Sequence, residues 1–120
     1  MVEGLGKSFF RTLTATPNTV LYEVPVGKKT DWTLLFVSNT TATPDDFSVA
    51  VFDASESTTT LLFNAVTLAV DEYLRLNANG SMLDGVHLKE GDQIQCWDSA
   101  GAAISVVLSV IERLETTTGG

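Results

Sequence analysis

The 120-residue sequence has few of the residues that most often carry catalysis or bind metals. It contains one histidine, His87, and one cysteine, Cys96, so an intramolecular disulfide and a site built from several histidines are both excluded. His87 stands between two apolar residues in a strand-like segment, which favours a plain polar or hydrogen-bonding role. Cys96 is spaced to share a strand face with Ile94, and we expect a buried, unreactive side chain there. With no nucleophile, base or metal cluster evident, the sequence predicts a protein that is not an enzyme.

Basic residues are also scarce. Seven Lys and Arg stand against fifteen Asp and Glu, which gives a formal net charge of −8. A phosphate backbone or an anionic membrane would repel such a chain, so we expect no nucleic-acid or membrane partner. The acidic pairs Asp45–Asp46 and Asp71–Glu72 flank turns, and adjacent residues on a strand point to opposite faces. Neither a metal nor any other cofactor is predicted, although loop carboxylates leave calcium as a minor alternative.

Long hydrophobic runs are absent as well. No apolar stretch approaches the roughly 18 residues that a membrane-spanning helix requires. The N-terminal residues lack the apolar segment of a secretory signal, so we expect synthesis in a reducing cytoplasm. Charged residues make up 18% of the chain, below the roughly 25% typical of soluble domains. Part of the surface is therefore predicted to be neutral and polar, and part to be covered by a partner.

Threonine is what the sequence has in abundance, with sixteen residues. Threonine is β-branched and suits strands and extended loops better than helices. Short alternating apolar segments are separated by turn residues, as at 25–28 and 77–81. This pattern predicts eight or nine strands in an all-β fold. We expect residues 1–120 to form a single antiparallel β-sandwich, jelly-roll or immunoglobulin-like, with short flexible arms at both ends.

The segment 31–39 is the strongest predicted strand. Strict alternation places Trp32, Leu34 and Phe36 on one face and Leu35 and Val37 on the other. A strand that is apolar on both faces is predicted to be central, covered on one side by the opposite sheet and on the other by something else. Within such a strand we expect Trp32 to pack in the core.

The segment 60–76 is ambiguous because leucines and alanines gather there, as they do in helices. Its β-branched residues and the interrupting Asn64 favour a strand. We expect residues 59–70 to form either one bent strand or two short ones, with the break near Asn64–Ala65, and the strand pattern to continue at 72–76.

Two stretches resemble a group of small bacteriophage virion proteins. Residues 13–40 contain a strand, a V-P-V-G-K turn, a second strand and an N-T-T loop. Residues 83–94 read L-D-G-V-H-L-K-E-G-D-Q-I, and their end is similar to an L-x-x-G-D-x-I turn before a penultimate strand. The two stretches make up about a third of the chain. It implies a β-sandwich virion component, in the head or the tail, and supplies no catalytic residues to transfer.

The main hypothesis is a capsid decoration or cement protein that binds and stabilises the shell of the major capsid protein, as a homo-oligomer with a trimer favoured. The alternatives are a tail or head–tail junction component and, in another class, a carbohydrate-binding attachment module with an exposed aromatic lining a groove. Each virion role implies cytoplasmic synthesis and a final location in the particle. The termini, the 40–46 loop and the strand end near residue 97 are the predicted contact regions. The candidate contact residues are Phe9, Phe10, Thr41, Pro44, Asp45 and Trp97.

Overall fold

A computed structural model describes residues 5–77, 86–101 and 104–114, which form nine strands. The strands are β1 (Leu5–Thr12), β2 (Val20–Glu23), β3 (Lys28–Ser38), β4 (Asp45–Asp53), β5 (Thr58–Leu68), β6 (Tyr73–Asn77), β7 (His87–Leu88), β8 (Gln93–Asp98) and β9 (Ser105–Leu114). None of these ranges contains a helix, and so none contains a helix long and apolar enough to cross a membrane. The predicted all-β class is confirmed.

The strands form two antiparallel sheets. Sheet A has the order β1-β9-β3-β6, with β7 pairing β3 beyond the end of β6, and sheet B has the order β2-β8-β4-β5. Their facing sides enclose one core, whose largest fully buried side chains include Trp32, Phe47, Leu35, Ile94 and Leu108. The predicted antiparallel sandwich is therefore confirmed.

A β-bulge in β3 decides where Trp32 points. The register of β3 against β9 shifts between Trp32 and Leu34, so Thr33 is the extra residue, and its hydroxyl donates to the Ser109 carbonyl at 3.1 Å. The shift places Trp32 in the core with Leu35, at 1% and 0% exposure. The predicted burial of Trp32 is correct. Its predicted face was wrong, because strict alternation does not allow for the extra residue.

A second irregularity lies in β5. Phe47 pairs with Val66 and Val49 with Phe63, so Ser48 opposes two residues, Asn64 and Ala65. Ala65 has a φ of 53°, and its N–H donates to the Ser48 hydroxyl at 2.9 Å. Residues 58–68 thus form one bent strand, β5, with its break at Asn64–Ala65, as one form of the prediction for residues 59–70 had it. The helical alternative was wrong.

Two glycines at tight turns offer a matched test of backbone strain. Gly27 and Gly91 have φ values of 79° and 85°, which L side chains rarely adopt. A Cβ on Gly27 meets nothing within 4 Å, whereas a Cβ on Gly91 would lie 3.0 Å from the Cβ of Ala54.

We expect Gly27→Ala to lower the free energy of unfolding by about 1 kcal/mol, through its backbone angle alone. Gly91→Ala should lower it by about 2 kcal/mol, because the contact with Ala54 adds to the same strain. Urea denaturation of both variants measures the difference. Equal losses would mean that the Ala54 turn moves aside at no cost.

Candidate interaction surface

The outer face of sheet A carries apolar side chains that remain open to solvent. The strand register aligns Phe10 with Val107 and Val107 with Phe36, and the Phe36 ring stacks on Tyr73 with centroids 5.5 Å apart. Phe10 and Tyr73 are 71% and 64% exposed, while Phe36 and Val107 are half-buried. These four residues are termed the aromatic patch. Exposed aromatic side chains grouped on a flat sheet face are typical of a protein–protein contact.

The surroundings of the aromatic patch are hydroxylic. The hydroxyls of Ser8 and Ser109 hydrogen-bond to each other at 2.8 Å, and Thr12 pairs with Ser105 at the next outward position beside Phe10. Arg75, which pairs with Phe36, is the charged residue in register with the patch. A face with this composition in a chain of net charge −8 can approach another acidic protein without repulsion.

A basic pocket lies on the same outer face, toward the start of β3. Its cavity has a volume of about 440 Å³. The lining residues are Lys29, Thr30, Asp31, His87, Leu88, Lys89 and Arg113. They bring together three of the seven Lys and Arg in the chain. The lining contains no tryptophan, tyrosine or phenylalanine, the side chains on which a sugar ring most often stacks.

Asp31 bonds to two other residues that line the basic pocket. Its Oδ1 lies 2.7 Å from Nδ1 of His87, and its Oδ2 forms an ion pair with Arg113. Partial burial acts to raise the pKa of Asp31, but the hydrogen bonds with His87 and Arg113 outweigh it and hold the pKa below its ordinary value. His87 thus makes the kind of hydrogen bond that its sequence context predicted.

The lysines of the basic pocket differ in their pairing. Lys89 contacts Asp53 at 3.2 Å and Asp92 at 3.3 Å. Lys29 is exposed and forms no hydrogen bond or ion pair with any residue in the described ranges. The ammonium group of Lys29 is therefore available to an incoming anionic group.

Beneath β1 lies a separate, buried ionic cluster. The Glu112 side chain is 1% exposed, with its Oε1 2.9 Å from Nζ of Lys7 and 4.0 Å from Nζ of Lys28. The Tyr22 hydroxyl donates to Oε2 at 2.6 Å and hydrogen-bonds Thr30 at 2.8 Å. Burial acts to raise the pKa of Glu112, but the Tyr22 hydroxyl and the Lys7 ammonium reverse this and hold it below its ordinary value. The cluster links β1, β2, β3 and β9, and its carboxylate is closed to solvent.

The candidate contact residues of the predicted N-terminal arm lie in a strand. Residues 5–10 belong to β1 and pair with β9. Phe9 turns inward and packs against Tyr22, with ring centroids 5.4 Å apart, so it is not presented to a partner. Phe10 points outward and belongs to the aromatic patch. Residues 2–4 of the arm and the tail residues 116–120 lie outside the described residues.

The predicted 40–46 loop ends earlier, because Asp45 and Asp46 belong to β4, and its candidate residues divide in the same way. Pro44 is exposed, and Thr41 is half-buried, with its hydroxyl donating to Oδ1 of Asn39 at 2.6 Å. Asp45 is 4% exposed, and its Oδ1 accepts the N–H groups of Asp46 and Ala100, each at 2.8 Å. Asp45 fixes the turn beside it, and its side chain is not at the surface.

Trp97 and Cys96 lie together on β8 and face opposite ways. Cys96 is fully buried, as predicted, and burial raises the pKa of its thiol to about 12, so the reactive thiolate does not form near neutral pH. Trp97 is half-buried on the outer side of sheet B, opposite Ser48. It lies on the other sheet from the aromatic patch and the basic pocket, so sheet topology does not join it to either of them.

Sequence reasoning missed Phe36, Tyr73, Val107 and the basic pocket. The available signal was the apolar character of both faces of β3, which predicted an additional cover for the outer face. The basic pocket has no local signal, because its residues come from β3, β7 and β9. Among the described residues, no group of three or more His, Cys, Asp or Glu is arranged to hold a metal ion.

No family model and no curated protein matches the chain. Solved structures do. The chain is similar to the protein of Bacillus endospore appendages that form disulfide-linked pili, with a TM-score of 0.55, 10% identity, and coverage of 98% of this chain and 90% of that one. It is also similar to the Drosophila NLP core, with a TM-score of 0.52, 15% identity, and coverage of 92% and 98%. At these identities the likeness establishes a shared β fold and nothing more.

Proposed function

We propose that the chain is a non-enzymatic structural protein of a bacteriophage virion, which decorates the capsid and stabilises the shell of the major capsid protein. The aromatic patch carries this proposal, since it supplies an uncharged, partly aromatic contact face on a small rigid sandwich. The capsid subunit is the proposed partner for this face, and a trimer is the favoured form of the decoration protein. The site of action is the virion, after synthesis in the host cytoplasm.

The strand order supports a jelly-roll form of the sandwich. The first strand lies beside the last in sheet A, and consecutive strands from β1 to β4 alternate between the sheets. An immunoglobulin-like sandwich would instead place its first two strands side by side. The Bacillus appendages form pili and the Drosophila NLP core is described in terms of pentamer formation, so both similar folds belong to assemblies. This favours an assembling subunit and leaves the choice of head or tail to experiment.

We expect the double variant Phe10→Ser, Tyr73→Ser to bind its particle at least about tenfold more weakly than the unaltered chain. Truncating aromatic residues at the centre of a contact removes most of its binding energy, and tenfold is about 1.4 kcal/mol. Both side chains are largely exposed in the free chain, so the fold should be kept. Co-sedimentation with particles stripped of this protein measures the binding.

The matched control is Leu61→Ser, on β5 of sheet B, where the leucine is 50% exposed. It removes exposed apolar area from the other sheet and should leave binding unchanged. Equal weakening by the control and the double variant would contradict a specific role for the aromatic patch. Cryo-EM of the same particles locates the protein. Copies on the head lattice support decoration, whereas density confined to the tail would replace that role with the tail component.

A further inference from the structure

An acidic turn at residues 69–72 connects β5 of sheet B to β6 of sheet A. Asp71 has a φ of 66° and is exposed, and its carboxylate makes no hydrogen bond or ion pair with any residue in the described ranges. Two hydrogen bonds hold the backbone of the turn in place. The Asp71 N–H donates to the buried Asn39 carbonyl at 2.8 Å, and the Glu72 side chain accepts the Ala69 N–H at 2.7 Å. Among the described residues, Asp71 therefore presents an unpaired carboxylate on a hydrogen-bonded turn.

The acidic turn and the basic pocket lie at opposite ends of sheet A. The basic pocket includes Asp31 of β3, whereas the acidic turn leads directly into Tyr73, which pairs with Ser38 at the other end of β3. Seven residues of extended strand separate these points, roughly 23 Å at about 3.3 Å per residue. The two features cannot meet within one chain, but each is presented to a neighbour.

We propose that the acidic turn of one copy docks into the basic pocket of a second copy, with the Asp71 carboxylate contacting the Lys29 ammonium and the Arg113 guanidinium. The basic pocket holds three cationic side chains against one lining carboxylate, in a chain whose net charge is −8. Lys29 and Asp71 carry opposite charges, and neither side chain has a hydrogen-bond or ion-pair partner within the described ranges. In the proposed contact, Val70, which is 42% exposed beside Asp71, approaches Leu88 in the lining of the second copy's pocket.

This contact joins two different surfaces, so it is heterologous. Such contacts close into a ring when the rotation between copies allows it and otherwise extend into an open chain. Three copies that closed the ring would form a homotrimer. The inference concerns the free protein and does not depend on the proposed capsid role, so either can fail without the other.

Sedimentation velocity of the purified chain over a concentration series tests the proposal. We expect concentration-dependent self-association that weakens when salt is raised from about 0.05 M to about 0.5 M, since exposed ion pairs are screened. Lys29→Glu and Asp71→Asn should each weaken association about tenfold. Asparagine also tolerates positive φ, so the second variant keeps the turn. Glu23→Gln, which removes one exposed carboxylate from β2 of sheet B, should have no effect.

A mixture of Lys29→Glu and Asp71→Asn is the most specific test of the proposed contact. Lys29→Glu retains its acidic turn and Asp71→Asn retains its basic pocket, so an equal mixture should form a one-to-one dimer that neither variant forms alone. A chain that stays monomeric in low salt would overturn the proposal, as would a mixture that stays monomeric or an equal loss in Glu23→Gln. If Lys29→Glu left self-association unchanged but abolished particle binding, the docked carboxylate would belong to another protein, and the second-copy proposal would be wrong.

Discussion

Trp32→Ala is expected to lower the free energy of unfolding by about 4 kcal/mol, because truncating a buried tryptophan removes its apolar contacts and leaves a cavity. Trp32 is the largest of the fully buried side chains, and its Nε1 donates to the Leu34 carbonyl at 3.0 Å. Both the contacts and the hydrogen bond depend on the bulge at Thr33, which turns the side chain into the core. Chemical denaturation followed by circular dichroism gives the change.

Trp97→Ala is the matched control, since it deletes the same side chain from a half-buried position on sheet B. A loss of about 1–2 kcal/mol is expected there, in proportion to the smaller apolar area buried. If the two variants lost the same stability, Trp32 would not occupy the centre of the core.

Lys7→Met is expected to lower the free energy of unfolding by about 3 kcal/mol at pH 7, because it leaves the buried Glu112 carboxylate without its nearest counter-charge. The Lys7 ammonium lies 2.9 Å from Oε1 of Glu112, whereas that of Lys28 is 4.0 Å away. Methionine keeps most of the aliphatic stem, so the effect isolates the charge. Adding Glu112→Gln to Lys7→Met should recover part of the loss, because the uncompensated carboxylate is then gone.

The pH dependence of this pair has a definite sign. In the unaltered chain the pKa of Glu112 is held below its ordinary value of 4.5. The stability from this carboxylate is therefore fully present above that value and is lost as the pH falls through the lower folded pKa. In Lys7→Met the Glu112 carboxylate loses the Lys7 ammonium, which favours its ionised form, and so it protonates at a higher pH. The stability gap between the two proteins should narrow from pH 7 to pH 4, and a constant gap would exclude Glu112 as its source.

Strand identity was predictable because it rests on local signals. Alternation within β4 and β9, the turn chemistry before β3, and the interruption at Asn64 each lie within a few residues. The face of Trp32 was not predictable in this way. Bulges are set by the register against a partner strand, and Thr33 becomes an extra residue only because of how β3 meets β9.

The candidate surface was partly predictable for the same reason. Phe10 was found as a candidate contact, and the two apolar faces of β3 indicated that its outer side needs a cover. Phe9 and Asp45 resemble their neighbours in sequence, but strand alternation and a turn hydrogen bond place both inside. The basic pocket joins residues more than fifty positions apart, such as Asp31 and His87, and nothing local in the sequence connects them.

The position of β9 has a consequence for biosynthesis. This strand lies between β1 and β3 in sheet A, so the last of the nine strands to leave the ribosome is an interior one. Until residues 105–114 emerge, β1 has no pairing partner among the described strands, and β3 lacks its longest neighbour. The domain must therefore complete its fold after translation of β9, through contacts between distant parts of the chain, which is a slow route for a small protein. Nascent copies would remain unable to assemble until residues 105–114 have been synthesised.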